Sequence, residues 1–181
     1  SRIDAVIYTH AHADHVHGLD DLRMIVFNMR ARLQVYADAE TSANLQERFG
    51  YAFIQPQGSP FPPILDLNPL DGPLKINGPG GVIDLTPFEV EHGTIKSLGM
   101  RSGDVAYLPD VSEIPEASWP ALEGLHTWIV DALRLTPHPS HSHLANTLEW
   151  IERAAPCEAI ITNMHVDLDY AETDAATPAH V

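Results

Sequence analysis

The sequence has 181 residues, 44% of them hydrophobic, and a formal net charge of −15 at pH 7 with histidine neutral. That length suits one domain with a sizeable core, and the acidic balance argues against a general nucleic-acid binder, whose footprint is basic. The single cysteine, Cys157, excludes an internal disulfide; with no signal peptide and no apolar run near the ~18–20 residues of a membrane span, a reduced, cytoplasmic setting without a membrane partner is expected.

In chain order, Arg2 to Tyr8 reads as a strand and Asp14 to Met29 as a helix, with Leu19, Leu22, Ile25, Val26 and Met29 at helical spacing. Leu33 to Tyr36 is a short strand, and Asp38 caps a helix running to about Phe49. Residues 50–73 carry six prolines and little periodicity; they read as an extended loop or lid over a site. Leu74 to Ile76 and Gly81 to Glu91 read as paired strands, and Ile95 to Arg101 with Val105 to Leu108 as a hairpin. Pro115 to Leu122 is a short helix, Thr127 to Ala132 a buried strand, Leu144 to Ala155 a helix and Ala159 to Thr162 the last strand. Ala171 to Val181 carries no predicted element. Strands and helices alternate throughout, which is the pattern of an α/β fold.

The chemistry concentrates in Tyr8-Thr9-His10-Ala11-His12-Ala13-Asp14-His15, directly after an apolar run. Alternation along a strand sends His10 and His12 out on one face, where they can clamp one cation. Asp14 and His15 follow at the turn into a helix, within reach of a second. Imidazole suits zinc, iron, manganese or nickel, and the carboxylate adds a harder oxygen ligand. Three further motifs follow predicted strands: Glu91-His92-Gly93, Tyr107-Leu108-Pro109-Asp110 and Ile161-Thr162-Asn163-Met164-His165; taken singly, His92, Asp110 and His165 also read as structural or surface residues.

This ordered set resembles the ligand motifs of the metallo-β-lactamase-fold hydrolases. The surrounding text, His15 to Arg23 and His165 to Tyr170, is most similar to the PhnP-like branch, which includes the phosphoribosyl 1,2-cyclic phosphate diesterase. The resemblance implies an αβ/βα sandwich in a single metallo-hydrolase domain over residues 1–181. It also implies strands ahead of the first motif, so an N-terminally incomplete domain is expected. It further implies two divalent metal ions, zinc or manganese with iron as a third choice. His10, His12 and His92 would hold the first, Asp14, His15 and His165 the second, and Asp110 would bridge them. Metals roughly 3.5–4 Å apart share a hydroxide of pKa about 7, a nucleophile for phosphorus or carbonyl centres. A Gly-x-Ser-x-Gly elbow is absent.

The expected activity is hydrolysis of a small or cyclic phosphate ester. A lactonase or thioesterase of the same fold and a non-hydrolytic cofactor-pathway or binding protein are the alternatives, and a homodimer stays open. Asp14, His141 and His143 are the candidate catalytic residues. The last two lie in Pro137-His138-Pro139-Ser140-His141-Ser142-His143, before a helix N-terminus suited to anions. There the resemblance implies a non-ligand histidine that contacts phosphate and protonates the leaving group: His141 first, His143 second. The same patch also reads as an ordinary cap loop with Ser142 as the cap. Tyr51, Phe53 and Phe61 line a pocket or merely cover the core. Asp20, Asp21 and Arg23 support ligands and substrate or simply pair on the surface, and His17 reads as structural rather than as a ligand.

Overall fold

The computed structural model describes residues 2–181. Among the described residues the fold is mixed α/β, with five α-helices, a three-stranded sheet and a six-stranded sheet. The chain divides into two compact units, one reaching Asp84 and the other spanning Leu85–Val181. Among the described residues no helix is long and apolar enough to cross a membrane.

In the first unit, β1 (Ala5–Ile7) and β3 (Leu65–Pro69) flank β2 (Leu33–Ala37) in parallel, with Val6 opposite Val35 and Val35 opposite Leu67. Leu33, Val35 and Ala37 alternate inward and are buried beside Val16, Leu19, Leu45 and Phe53. The helix expected from Asp14 to Met29 is three pieces: α1 (Ala13–Val16), a 3-10 turn (His17–Asp21) and α2 (Leu22–Met29). Gly18 sits in the break, and glycine costs a helix interior about 1 kcal/mol relative to alanine. α3 (Ala39–Phe53) begins as expected, with the Asp38 carboxylate accepting from Thr41 N–H at 2.7 Å.

Residues 50–73 are not one loop. α3 runs on to Phe53, and Leu65–Pro69 is β3. The prolines hid the short Leu65-Asp66-Leu67 alternation. Pro69 is tolerated because it is the last residue of an edge strand, where no ladder N–H is needed. β4 (Leu74–Gly78) then turns back into β5 (Gly81–His92).

In the second unit, β5 pairs antiparallel with β6 (Ile95–Ser102), and β6 antiparallel with β7 (Val105–Leu108). β8 (Thr127–Asp131) lies parallel to β7 and β9 (Glu158–Thr162) parallel to β8, so Leu108 faces Val130 and Val130 faces Ile161. α4 (Leu144–Ala154) links β8 to β9 and buries Ile151 against Trp128, Val130 and Leu108. Trp128 is fully buried, a position where truncation to alanine costs about 3–5 kcal/mol. The expected helix after Pro115 is a 3-10 turn (Glu116–Leu122), as Pro120 inside it withholds an N–H. The C-terminal stretch does form an element, α5 (Tyr170–Ala176), capped by the Asp169 carboxylate on Glu172 N–H at 3.0 Å.

Candidate functional site

In the first unit the strand ends earlier than its sequence suggests, so simple alternation does not align His10 with His12. Tyr8 N–H still reaches the Tyr36 carbonyl at 3.0 Å, and the chain then leaves the ladder. His12 is the extended residue before α1, and its carbonyl accepts from His15 and Val16 N–H at 3.1 and 3.2 Å. This turn gathers the imidazoles: His10 lies 4.6 Å from His12, edge to face, and 4.2 Å from His15, tilted, between ring centroids. The Asp14 carboxylate lies 3.4 Å from His15 Nε2. His10 is buried, whereas His12 and Asp14 are exposed and reachable from solvent.

His17 takes another part. Arg48 from α3 donates to His17 Nε2 and to the Ala11 carbonyl, each at 2.6 Å, and so ties down the loop that carries the motif. Asp20 accepts from Tyr51 at 2.5 Å and from Arg23 at 3.1 Å. The Tyr51 hydrogen bond, ahead of Arg23, holds the Asp20 carboxyl below its ordinary range. Tyr51 and Phe61, with Arg23 and Phe27, line a cavity of about 420 Å³. Phe53 packs into the core instead.

In the second unit β5 ends on His92, and Gly93 makes the turn with φ +66°. His92 and Asp110 are both buried. The His92 Nδ1 hydrogen goes to the Ser140 carbonyl at 2.5 Å, because a carbonyl only accepts. Its Nε2, an acceptor in the neutral ring, lies 3.4 Å from the Asp110 carboxylate. Two acceptor atoms in that position suit a cation between them. Asp110 follows β7 through Pro109.

His141 stands beside this pair. Its ring centroid is 4.7 Å from that of His92, and its Nε2 is 4.0 Å from the Asp110 carboxylate. Its Nδ1 bonds Asp131 Oδ2 at 3.0 Å. The same oxygen accepts Val111 N–H at 3.2 Å, and the Asn163 side-chain amide nitrogen lies 3.4 Å from the same His141 Nδ1. Asp131, unflagged by any sequence motif, is fully buried as the last residue of β8, and its carbonyl accepts from Thr147 at 2.7 Å. Burial pushes its carboxyl above the ordinary range, against the opposing pull of His141. Burial also lowers His138, with Arg134 adding to the effect.

Asn163 was missed as well. It has a left-handed backbone, φ +62°, and its side-chain amide lies 3.3 Å from Asp110 Oδ1 and 3.4 Å from the Pro109 carbonyl. His165 is half exposed, with Nδ1 3.3 Å from Asp167. His143 is the residue before α4 and its side chain makes no cap bond. Ser142 caps nothing either; its hydroxyl accepts from Asn146 at 3.1 Å and lies 2.8 Å from the Thr147 hydroxyl. One signal was available for the missed residues. Asp110, Asp131 and Asn163 lie at the C-terminal ends of the adjacent parallel strands β7, β8 and β9, the edge where open α/β sheets carry their sites.

Each unit thus supplies His and Asp residues that could ligate a divalent metal: His10, His12, Asp14 and His15 from the first, His92 and Asp110 from the second. Residues 1–164 match the family described as the beta-lactamase superfamily domain. The chain belongs to that superfamily. Members of this beta-lactamase fold family are mostly metal-dependent hydrolases. The fold of a crystallised diphosphatase from the PhnP family matches with a TM-score of 0.86 and 35% identity, over 99% of this chain and 66% of that one. The metallo-beta-lactamase fold protein YhfI from Bacillus subtilis matches with a TM-score of 0.73 and 19% identity, over 96% of this chain and 70% of that one. An octanoyltransferase from Porphyromonas gingivalis strain W83 is 32% identical over 167 residues, 90% of this chain. The chain spans only 32% of that protein's length.

Proposed function

We propose that this superfamily member is a binuclear metal-dependent phosphodiesterase acting on a small or cyclic phosphate ester. The observation that carries the reading is the 35% identity to a PhnP-family diphosphatase along 99% of the chain. The set of residues at the strand ends supports it. His10, His12 and His92 are assigned to one metal, and Asp14, His15 and His165 to the other, with Asp110 as the bridge. This assignment follows the order of the motifs in the sequence and the superfamily membership. Zinc or manganese fits the mixed imidazole and carboxylate donors.

Bound metals would supply an acidified water and neutralise charge that builds on phosphate. The chain's own contribution is proton handling. Water oxygen bonds to phosphorus, the bond from phosphorus to the leaving oxygen breaks, and that oxygen takes a proton from His141 Nε2. The proton released by the attacking water restores His141. His143, the second choice, makes no side-chain cap bond to α4.

The test is hydrolysis of bis-p-nitrophenyl phosphate and of cyclic ribose or nucleotide phosphates by the natural protein loaded with manganese or zinc. Turnover is expected, and intact substrates throughout would overturn the reading. Lactones and octanoyl thioesters belong in the same assay, because the octanoyltransferase relative favours a carbonyl-centre chemistry. Faster cleavage of those esters would move the assignment to that chemistry.

A further inference from the structure

The loop that carries the first candidate ligands is held by a distant side chain. We propose that Arg48 is a positioning residue for the metal site: its guanidinium fixes the Ala11 peptide between His10 and His12 and so presets both side chains for a cation. The inference rests on the assignment of His10 and His12 as metal ligands. It does not need the phosphodiesterase reading.

Residues 10–12 have no regular structure of their own. The chain leaves the β1 ladder after Tyr8 and enters α1 only at Ala13. A peptide unit is planar, so a carbonyl held in place fixes the plane that runs from Ala11 into His12. Arg48 Nη1 holds that carbonyl at 2.6 Å, from 37 residues away in the chain. Nη2 of the same guanidinium meets His17 Nε2 at 2.6 Å. A rigid fork of donors suits this two-point grip, and a lysine does not supply it. The fork is itself supported. The guanidinium lies 5.3 Å over the Phe49 ring, and the His17 ring stands edge-on to Phe49 at 6.1 Å between centroids. Phe49 breaks the helical geometry of α3, with φ −129° and ψ 26°. Beyond that break Tyr51 reaches Asp20. The motif-bearing segment is thus gripped from both sides of the break, at Ala11 and His17 by Arg48 and at Asp20 by Tyr51.

Ligands ordered before binding spare the cation the cost of ordering them. Residues that orient metal ligands are worth about 10–100-fold in metal affinity. Charge acts in the opposite direction. A guanidinium beside a cation site repels the cation. Electrostatics alone therefore predicts tighter metal binding once Arg48 is removed, whereas positioning predicts weaker binding.

The experiment measures zinc affinity by competition with a chromophoric chelator, without substrate, in the natural protein, R48M, R48K and H17A. R48M keeps the length of the stem and loses both bonds. Its zinc Kd should rise at least about tenfold, with the melting temperature of the zinc-free protein little changed. R48K keeps the charge without the fork and should fall in between. H17A retains the Ala11 bond and should stay close to the natural protein. The Ala11 carbonyl-carbon NMR signal should move upfield in R48M and hold in H17A. Equal or tighter zinc binding in R48M would overturn the proposal. So would a zinc-free melting temperature that falls along with the affinity, since Arg48 would then support the fold and not the site. An Ala11 carbonyl signal without hydrogen-bond character in the natural protein would overturn it without any variant. A natural protein that takes up no zinc would remove the ligand assignment and the proposal with it. If zinc binds but no phosphodiester is cleaved, only the functional reading fails, and the affinities still decide the role of Arg48.

Discussion

His92 gives its Nδ1 hydrogen to the carbonyl of Ser140 at 2.5 Å, across 48 residues of chain. One hydrogen bond thereby sets the tautomer of a buried candidate ligand. Gly93 presses on the same partner: a Cβ there would lie 2.8 Å from Ser140 Cβ, at a φ of +66°. Gly93→Ala should therefore push Ser140 away from His92. A left-handed alanine costs about 1–2 kcal/mol, and overpacking adds about 1–3 kcal/mol. Thermal melting should show a loss in that range, together with weaker metal retention on dialysis. An unchanged melt would mean that the turn relaxes freely.

Asp110→Asn should depress turnover far more than His17→Ala. A bridging carboxylate brings negative charge to both cations and an amide does not. His17 is exposed and accepts from Arg48, and surface substitutions usually stay within about 0.5 kcal/mol. Kinetics on both variants with metal content measured alongside is the check. Equal activity at equal metal content would remove Asp110 from the bridge.

Metal removal should cost activity and stability together. A ligand bound only by the folded state stabilises it by about 2.7 kcal/mol at a hundred times its Kd. Dialysis against a chelator should lower Tm, and added zinc or manganese should restore both Tm and turnover. A Tm indifferent to chelator would count against resident metals.

Tyr51→Phe should raise the Asp20 carboxyl back toward its ordinary value. The Tyr51 hydroxyl is the first cause of its depression, with Arg23 next. A depressed carboxyl favours the folded state above its unfolded pKa, and that contribution is lost as pH falls through the lower folded value. The variant should therefore lose less stability than the natural protein on acidification through that window. A carboxyl-carbon NMR titration of Asp20 reads the shift directly. No movement would assign the depression to Arg23 alone.

Gly99→Ala should damage the core of the second unit. Gly99 is the cross-strand partner of Phe88, and the buried ring covers the place a Cβ would take. Overpacking of this kind costs about 1–3 kcal/mol. A denaturant midpoint equal to that of the natural protein would show that the ring can swing aside.

The sequence by itself determined the features that short-range rules govern. The H-x-H-x-D-H run, the apolar strand ahead of it and the further motifs at strand ends led to the superfamily and to the α/β class. Asp38 was legible as the cap of α3 because its partner, Thr41 N–H, is three residues away. Pattern failed where local signals conflicted with packing. Prolines masked β3, whose Leu65 is paid for by contact with β2 rather than by propensity. Tertiary structure alone decided the partners. Asp131 joins His141 because β8 ends where the loop before α4 returns, and no periodicity encodes that meeting. Asn163 lies against Asp110 because β7 and β9 end on the same edge, either side of β8. His92 meets Ser140 for the same reason of long-range closure. Backbone propensity and side-chain alternation act over a few residues, whereas the choice of hydrogen-bond partner is made only when distant strands share one sheet.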